Sequence, residues 1–223
     1  MSKGIQFWLD LWQQGRIPFH RSEVHPDLIN FWPELQLKPK STVLVPLCGK
    51  SIDMLWLVQQ TYQVIGIELS EHAVVQFFQE QQLAFTVELH QQFKKYITDS
   101  LCIWVGDIFT LDKALIPAVD AIYDRAALIA LPQKLRSVYT TLCFNWLKPQ
   151  GFIFLKTLNY NQSLMQGPPY SVSPEEVTQL YALQATPHCL HSRKQEHAIN
   201  ENNTMVVDES IWNIIKHEAK TKS

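Results

Sequence analysis

An α/β fold built on a doubly wound, mostly parallel sheet is what this 223-residue sequence predicts. Two observations carry that expectation. Short apolar runs rich in β-branched residues recur at 42–47, 63–67, 101–105, 121–123 and 151–155. Between them lie segments with helical spacing, and strands that alternate with helices pair in parallel through crossovers, which puts helices on both faces of the sheet.

Taken in order, residues 7–14 and 26–37 read as two helices loaded with Phe7, Trp8, Leu11, Trp12, Phe31 and Trp32, an N-terminal lid over the sheet's ligand edge. The strand at 42–47 runs into Cys48-Gly49-Lys50-Ser51 and a helix at 52–60. The strand at 63–67 ends on Glu68 and leads to a helix at 71–82. A helix at 132–146 is followed by Lys148-Pro149-Gln150-Gly151 as a stop signal. Ser173-Pro174-Glu175-Glu176 opens a helix at 173–183, with proline suited to the first turn and the acids to the helix dipole. Residues 205–207 and 211–215 read as edge strands, and 197–204 as a hairpin loop. One domain over 1–223 is expected, with the lid at 1–40, a ligand-binding core at 41–160 and an acceptor-side loop, helix and edge strands at 161–223.

Composition narrows the function. Lys and Arg total 19 against 21 Asp and Glu, a net charge of -2, which supplies no positive surplus for a phosphate backbone, so no nucleic-acid partner is expected. Cys48, Cys102, Cys143 and Cys189 never form C-x-x-C, so no metal site is expected and a reducing cytoplasm suits the chain. His188-Cys189-Leu190-His191 falls on a strand whose side chains alternate, so its three candidate ligands cannot all face one ion. No run of about 18 apolar residues is present, so no membrane span is expected. A monomer is expected.

In an open parallel sheet the ligand sits beyond the carboxyl ends of the strands. There the turn at Gly49 faces Glu68, placed nineteen residues on, where an acid accepts ribose hydroxyls. The alternative is that Gly49 only permits a tight turn and Glu68 only caps the next helix. A P-loop fails because its first glycine would fall at Leu44, and G-x-G-x-x-G fails because the turn has one glycine. The turn therefore suits an adenosine ligand without phosphates. Asp107 follows the strand at 101–105 and Ile108 can pack on an adenine ring, although Asp107 reads equally as a cap. The strand at 121–123 delivers Asp124 and Arg125 to the same edge.

Together these segments resemble the thiopurine S-methyltransferase family of class I S-adenosylmethionine-dependent methyltransferases, whose fold is Rossmann-like. The resemblance rests on Trp8 and Trp12, on Gly15, Phe19 and His20, on Pro46-Leu47-Cys48-Gly49-Lys50-Ser51, on Ile65-Gly66-Ile67-Glu68, on Gly106-Asp107-Ile108-Phe109 and on Tyr123-Asp124-Arg125-Ala126-Ala127. It implies that Trp12, Leu47, Glu68 and Arg125 contact S-adenosylmethionine and its product S-adenosylhomocysteine, with Ile108 and Trp8 in the same pocket and Phe19 on the acceptor side. It implies methyl transfer to the sulfur of small aromatic or heterocyclic thiols such as thiopurines, with selenium or tellurium compounds as further acceptors. Arg125 would stabilise anionic charge on the acceptor or on the cofactor's carboxylate, oriented by Asp124, and no side chain is assigned as a base. A halide or thiocyanate methyltransferase and a non-catalytic S-adenosylmethionine-binding module are the alternatives. Asn200-Glu201-Asn202-Asn203 lacks the basic residue some relatives place beside the acceptor, with Arg193 or Lys194 as possible substitutes, and 166–172 resembles the family's proline-rich loop.

Overall fold

The computed structural model describes residues 4–200 and 203–218. The chain divides into two compact units, Met1–Asp120 and Ala121–Ser223.

In the first unit, helix α1 (Ile5–Gln13) and helix α2 (Pro26–Phe31) precede strand β1 (Thr42–Pro46). The expected second helix is cut short: Pro33 has no amide to donate, so Trp32–Leu35 tightens into a 3-10 turn that ends at Gln36 with φ 51. Then follow α3 (Asp53–Gln59), β2 (Gln63–Glu68), α4 (Glu71–Glu80), β3 (Thr86–His90), β4 (Phe93–Ile97) and β5 (Leu101–Val105). The strands lie in the order β3-β4-β5-β2-β1. β1, β2 and β5 pair in parallel, and their inner residues are almost all buried, as a sheet covered on both faces requires. Their register sets Pro46 opposite Ile67 and Glu68 opposite Val105, so the three strands finish level with one another. The β3–β4 hairpin is antiparallel and has no counterpart in the sequence expectation. Its turn is carried by Gln91 at φ 55 instead of the glycine or asparagine that usually marks one, and β3 is exposed almost throughout.

Strand β6 (Val119–Asp124) crosses the boundary into the second unit, which continues with α5 (Gln133–Trp146), β7 (Leu147–Asn159), α6 (Pro174–Tyr181), β8 (Ala185–Asn200) and β9 (Asn203–Lys216). Its strands lie in the order β6-β7-β9-β8. Three expectations change here. Residues 148–151 are the opening of β7, not a loop: Leu147 turns extended, with ψ 128, and Lys216 Nζ donates to the carbonyls of Phe144 and Leu147, closing the helix end. Pro149 is tolerated because pairing with β9 begins only at Phe152. The two short segments at 205–207 and 211–215 are one long strand, and it lies between β7 and β8, leaving β8 at the edge. In place of the expected loop at 197–204, residues 197–200 continue β8 and 203–204 open β9, and Glu201 and Asn202 lie outside the described residues.

Asp208-Glu209-Ser210 reads as a break in the apolar pattern, yet each is held in the sheet. Glu209 accepts from Lys156 Nζ on β7 at 3.0 Å and from Arg193 on β8 at 2.6 Å, and Asp208 accepts from Ser192 Oγ. Burial alone would push the Glu209 carboxyl up; Lys156 and Arg193 outweigh it and hold the group below the usual range. On α5, buried Arg136 makes a two-bond contact with Glu176 of α6, at 2.7 and 2.8 Å.

Replacing Glu209 by Gln removes the counter-charge shared by Lys156 and Arg193. The expected cost is about 3 kcal/mol in a urea titration at pH 7. A loss under about 0.5 kcal/mol, the size of a surface pair, would show that water already screens the network.

Candidate functional site

The parallel strands of the first unit place three chain reversals side by side. After β1 the chain turns through Leu47, at φ 48, and Gly49, at φ 54, with the Cys48 amide bonded back to the Ile67 carbonyl at 3.0 Å. A leucine in the left-handed region is costly and persists only where its surroundings force it. After β5 the Gly106 amide donates to the Glu68 carbonyl at 2.8 Å, and Asp107 closes the following turn by accepting from the Phe109 amide at 3.0 Å. Gly106 lies against Phe93, whose ring atom would stand 2.3 Å from any Cβ added there. Ile108 is buried just beyond.

Between these reversals sits Glu68. One carboxylate oxygen accepts from the Gly49 amide at 2.7 Å and the other from the Ser70 amide at 2.8 Å. Ser70 in turn caps α4 by accepting from the Ala73 amide. Glu68 is 6% exposed, and burial pushes its carboxyl above the usual range against the pull of the Ser70, Gly49 and Leu69 amides. Each oxygen keeps one lone pair after its amide bond, an arrangement that fits two neighbouring hydroxyl donors such as those of a ribose. Gly49 and Glu68 thus make both the tight turn and the local cap that sequence offered as an alternative to a ligand role, and the carboxylate retains acceptor capacity as well.

Helix α1 supplies the cover. The Trp12 ring lies over Gly49, 2.8 Å from where a Cβ would stand, and Trp12 is 4% exposed. Phe19 meets Trp8 and Trp12 edge to face, with centroids 5.7 and 5.4 Å apart, so the sequence-predicted aromatics Trp8, Trp12 and Phe19 form one cluster. Beneath the turn, Gly66 makes room for Cys48: a Cβ at Gly66 would be 2.8 Å from the Cys48 sulfur. Lys50 is buried and bonded to Glu80 of α4 at 2.6 Å, and with a single glycine the turn offers no run of amides for a diphosphate.

In the second unit, β6 ends on buried Asp124, followed by half-buried Arg125 and by Ala126 at φ 67. Asp124 accepts from the Leu128 amide at 3.0 Å and from the Tyr139 hydroxyl at 2.7 Å. Burial pushes its carboxyl up to about 6, with those donors and the Ala127 amide opposing. The proline-rich loop is tied down: the Tyr170 amide donates to the Ile129 carbonyl at 2.6 Å and the Tyr160 hydroxyl to the Pro169 carbonyl at 2.5 Å. Among the described residues no group of three or more His, Cys, Asp or Glu could hold a metal ion. Sequence reasoning named Gly66, Lys50 and Ser70 within their motifs without giving them these contacts, and it missed Tyr139. Gly66 alone carried a signal, as a glycine inside a strand marks a close approach.

A parallel α/β sheet with a buried acid ending its second strand, facing a one-glycine turn, is the arrangement of class I S-adenosylmethionine-dependent methyltransferases. The same fold occurs in a Burkholderia thailandensis 1,6-didemethyltoxoflavin-N1-methyltransferase, solved with bound 1,6-didemethyltoxoflavin and S-adenosylhomocysteine, at a TM-score of 0.64 and 14% identity over 96% of this chain and 87% of that one. Residues 4–217 match the thiopurine S-methyltransferase (TPMT) family. Proteins named thiopurine S-methyltransferase are 53% identical over 220 residues in Legionella pneumophila strain Paris, covering 97% of this chain and all of that one, and 39% identical over 206 residues in Shewanella pealeana, covering 92% and 93%. The chain belongs to the thiopurine S-methyltransferase family.

A methyl added at Gly49 meets both the Trp12 ring and an unfavourable φ. Gly49→Ala is expected to destabilise the protein by about 1–3 kcal/mol. Trp12→Ala removes the collision, so in a denaturant series the double variant should cost measurably less than the sum of the singles. Strict additivity would show that Trp12 does not rest on the turn.

Proposed function

We propose that the chain, acting as one methyltransferase domain over 1–223, transfers the methyl group of S-adenosylmethionine to the sulfur of small aromatic or heterocyclic thiols, thiopurines among them, with selenium and tellurium compounds as further acceptors. The observation that carries the cofactor half is Glu68, a buried carboxylate held by two amides with a lone pair left on each oxygen. Trp12, Leu47, Glu68 and Ile108 are the proposed cofactor-binding residues of the first unit. The family resemblance adds Arg125, and assigns Phe19 to the acceptor side. The names of the relatives support the thiol acceptor. Arg193 stands on β8 bonded to Glu209, which weakens its candidacy as a free acceptor-side base in place of the residues at 200–203. No described helix is long and apolar enough to cross a membrane.

Bound S-adenosylmethionine supplies a methyl group already made electrophilic by its sulfonium. The chain's own work is to hold and to shield. Glu68 fixes the nucleoside end, and Trp8, Trp12 and Phe19 keep water from it. A simple thiol has an ordinary pKa of about 8.5 and aromatic thiols are more acidic, so enough thiolate exists near neutrality for transfer without a dedicated base.

Glu68→Gln should weaken calorimetric S-adenosylhomocysteine binding by roughly tenfold or more, because the amide group presents a donor where an acceptor is needed. Accepting two hydroxyl donors favours the ionised Glu68, so wild-type affinity should fall on acidification from above the usual carboxylate range, and Glu68→Gln should lose that step. Unchanged affinity in the variant would refute the ribose role. Labelled methyl should appear on thiopurine and thiophenol acceptors; transfer to halide or thiocyanate alone, or cofactor binding with no transfer, would overturn the assignment.

A further inference from the structure

The Asp124 carboxylate is 1% exposed, an expensive place for a charge, and its partners show what it is used for. Its bond to the Leu128 amide spans the Arg125–Ala126 turn, where Ala126 sits at φ 67, a left-handed conformation that alanine adopts only when held. Its other oxygen is fixed by the Tyr139 hydroxyl, projected from α5 and itself fully buried. The turn that carries Arg125 is thus clamped from one side by an acid whose own rotamer is set by a tyrosine on the next helix.

We propose that Tyr139 is a positioning residue for methyl transfer: through Asp124 it holds the Arg125–Ala126 turn in the conformation that presents the Arg125 guanidinium to the cofactor. The proposal rests on the reading that Arg125 contacts that cofactor. Ionised Asp124 accepts both bonds at once, whereas the proton of a neutral carboxyl competes with the Tyr139 hydroxyl for the same oxygen. The groups of this unit that face it are Tyr139 and Cys143 of α5 and Tyr181 of α6, all buried and with their own pKa values pushed up by burial, so none supplies a compensating positive charge. Affinity supported by the clamp therefore falls as Asp124 takes up a proton near pH 6. Removing the Tyr139 donor moves that step to higher pH, because the hydroxyl favours the ionised form.

The test is S-adenosylhomocysteine affinity between pH 5 and 8.5 for the wild type, Tyr139→Phe, Asp124→Asn, Arg125→Met and the Tyr139→Phe/Arg125→Met pair. Tyr139→Phe should weaken binding roughly tenfold at pH 7 and raise the midpoint of acid loss by about one pH unit, while in the Arg125→Met background it should change affinity less than about twofold. Asp124→Asn, should Tyr139→Phe fold poorly, should abolish the step near pH 6 and leave in place the separate acid loss that belongs to Glu68. A lowered melting temperature with unchanged affinity and pH midpoint, or an equal loss in the Arg125→Met background, would reduce Tyr139 to a structural role. Wild-type affinity in Arg125→Met would instead overturn the cofactor reading of Arg125, and with it this proposal.

Discussion

The carboxylate of Glu68 ties the turn at Gly49, nineteen residues earlier in the sequence, to the junction of β2 and α4. Its two oxygens take the amides of Gly49 and Ser70, so one side chain fastens the turn after β1, the end of β2 and the cap of α4. Leu47 is held in a left-handed conformation in that same turn, and Trp12 closes over Gly49. Burying an acid at this point costs free energy, as its raised pKa shows, and the amides only partly offset the cost. An acid with a remaining lone pair on each oxygen gains further from hydroxyl donors, which ties the local fold to the ligand.

The level finish of β1, β2 and β5 makes this possible. Parallel pairing in register brings Leu47, Glu68 and Gly106 to one edge, and the chain reverses there three times within a few ångströms of backbone bonding. Each reversal uses a residue that tolerates the geometry or is forced into it: Gly49 under an indole, Gly106 under a phenyl ring, Leu47 under strain. The second unit applies the same device once more at Ala126, with Asp124 as the clamp.

Much of this was legible in the sequence. The strands β1, β2, β5 and β6 announced themselves as apolar runs because a parallel sheet buried on both faces leaves no polar alternation to confuse them. The site followed from the spacing of Gly49 and Glu68, and Trp8, Trp12 and Phe19 were named from motif and came together in space. What stayed hidden has physical reasons. The β3–β4 hairpin turns on glutamines and exposes most of β3, so neither turn chemistry nor burial marks it. β9 looked like two pieces because Asp208-Glu209-Ser210 is polar, and only the partners Ser192, Arg193 and Lys156 on neighbouring strands explain how it continues. Tyr139 sits in an amphipathic helix among other aromatics, where no local pattern distinguishes a hydroxyl with a task from one that fills space.

The central claim is that Glu68 is the acceptor for the nucleoside's two ribose hydroxyls. A crystal structure of the chain with S-adenosylhomocysteine measures this directly. Both ribose oxygens should lie within hydrogen-bond distance of the Glu68 carboxylate, about 2.5–3.0 Å, with the Gly49 and Ser70 amides still bonded to it. A ribose bound elsewhere, or a Glu68 engaged only by those two amides in the complex, would contradict it.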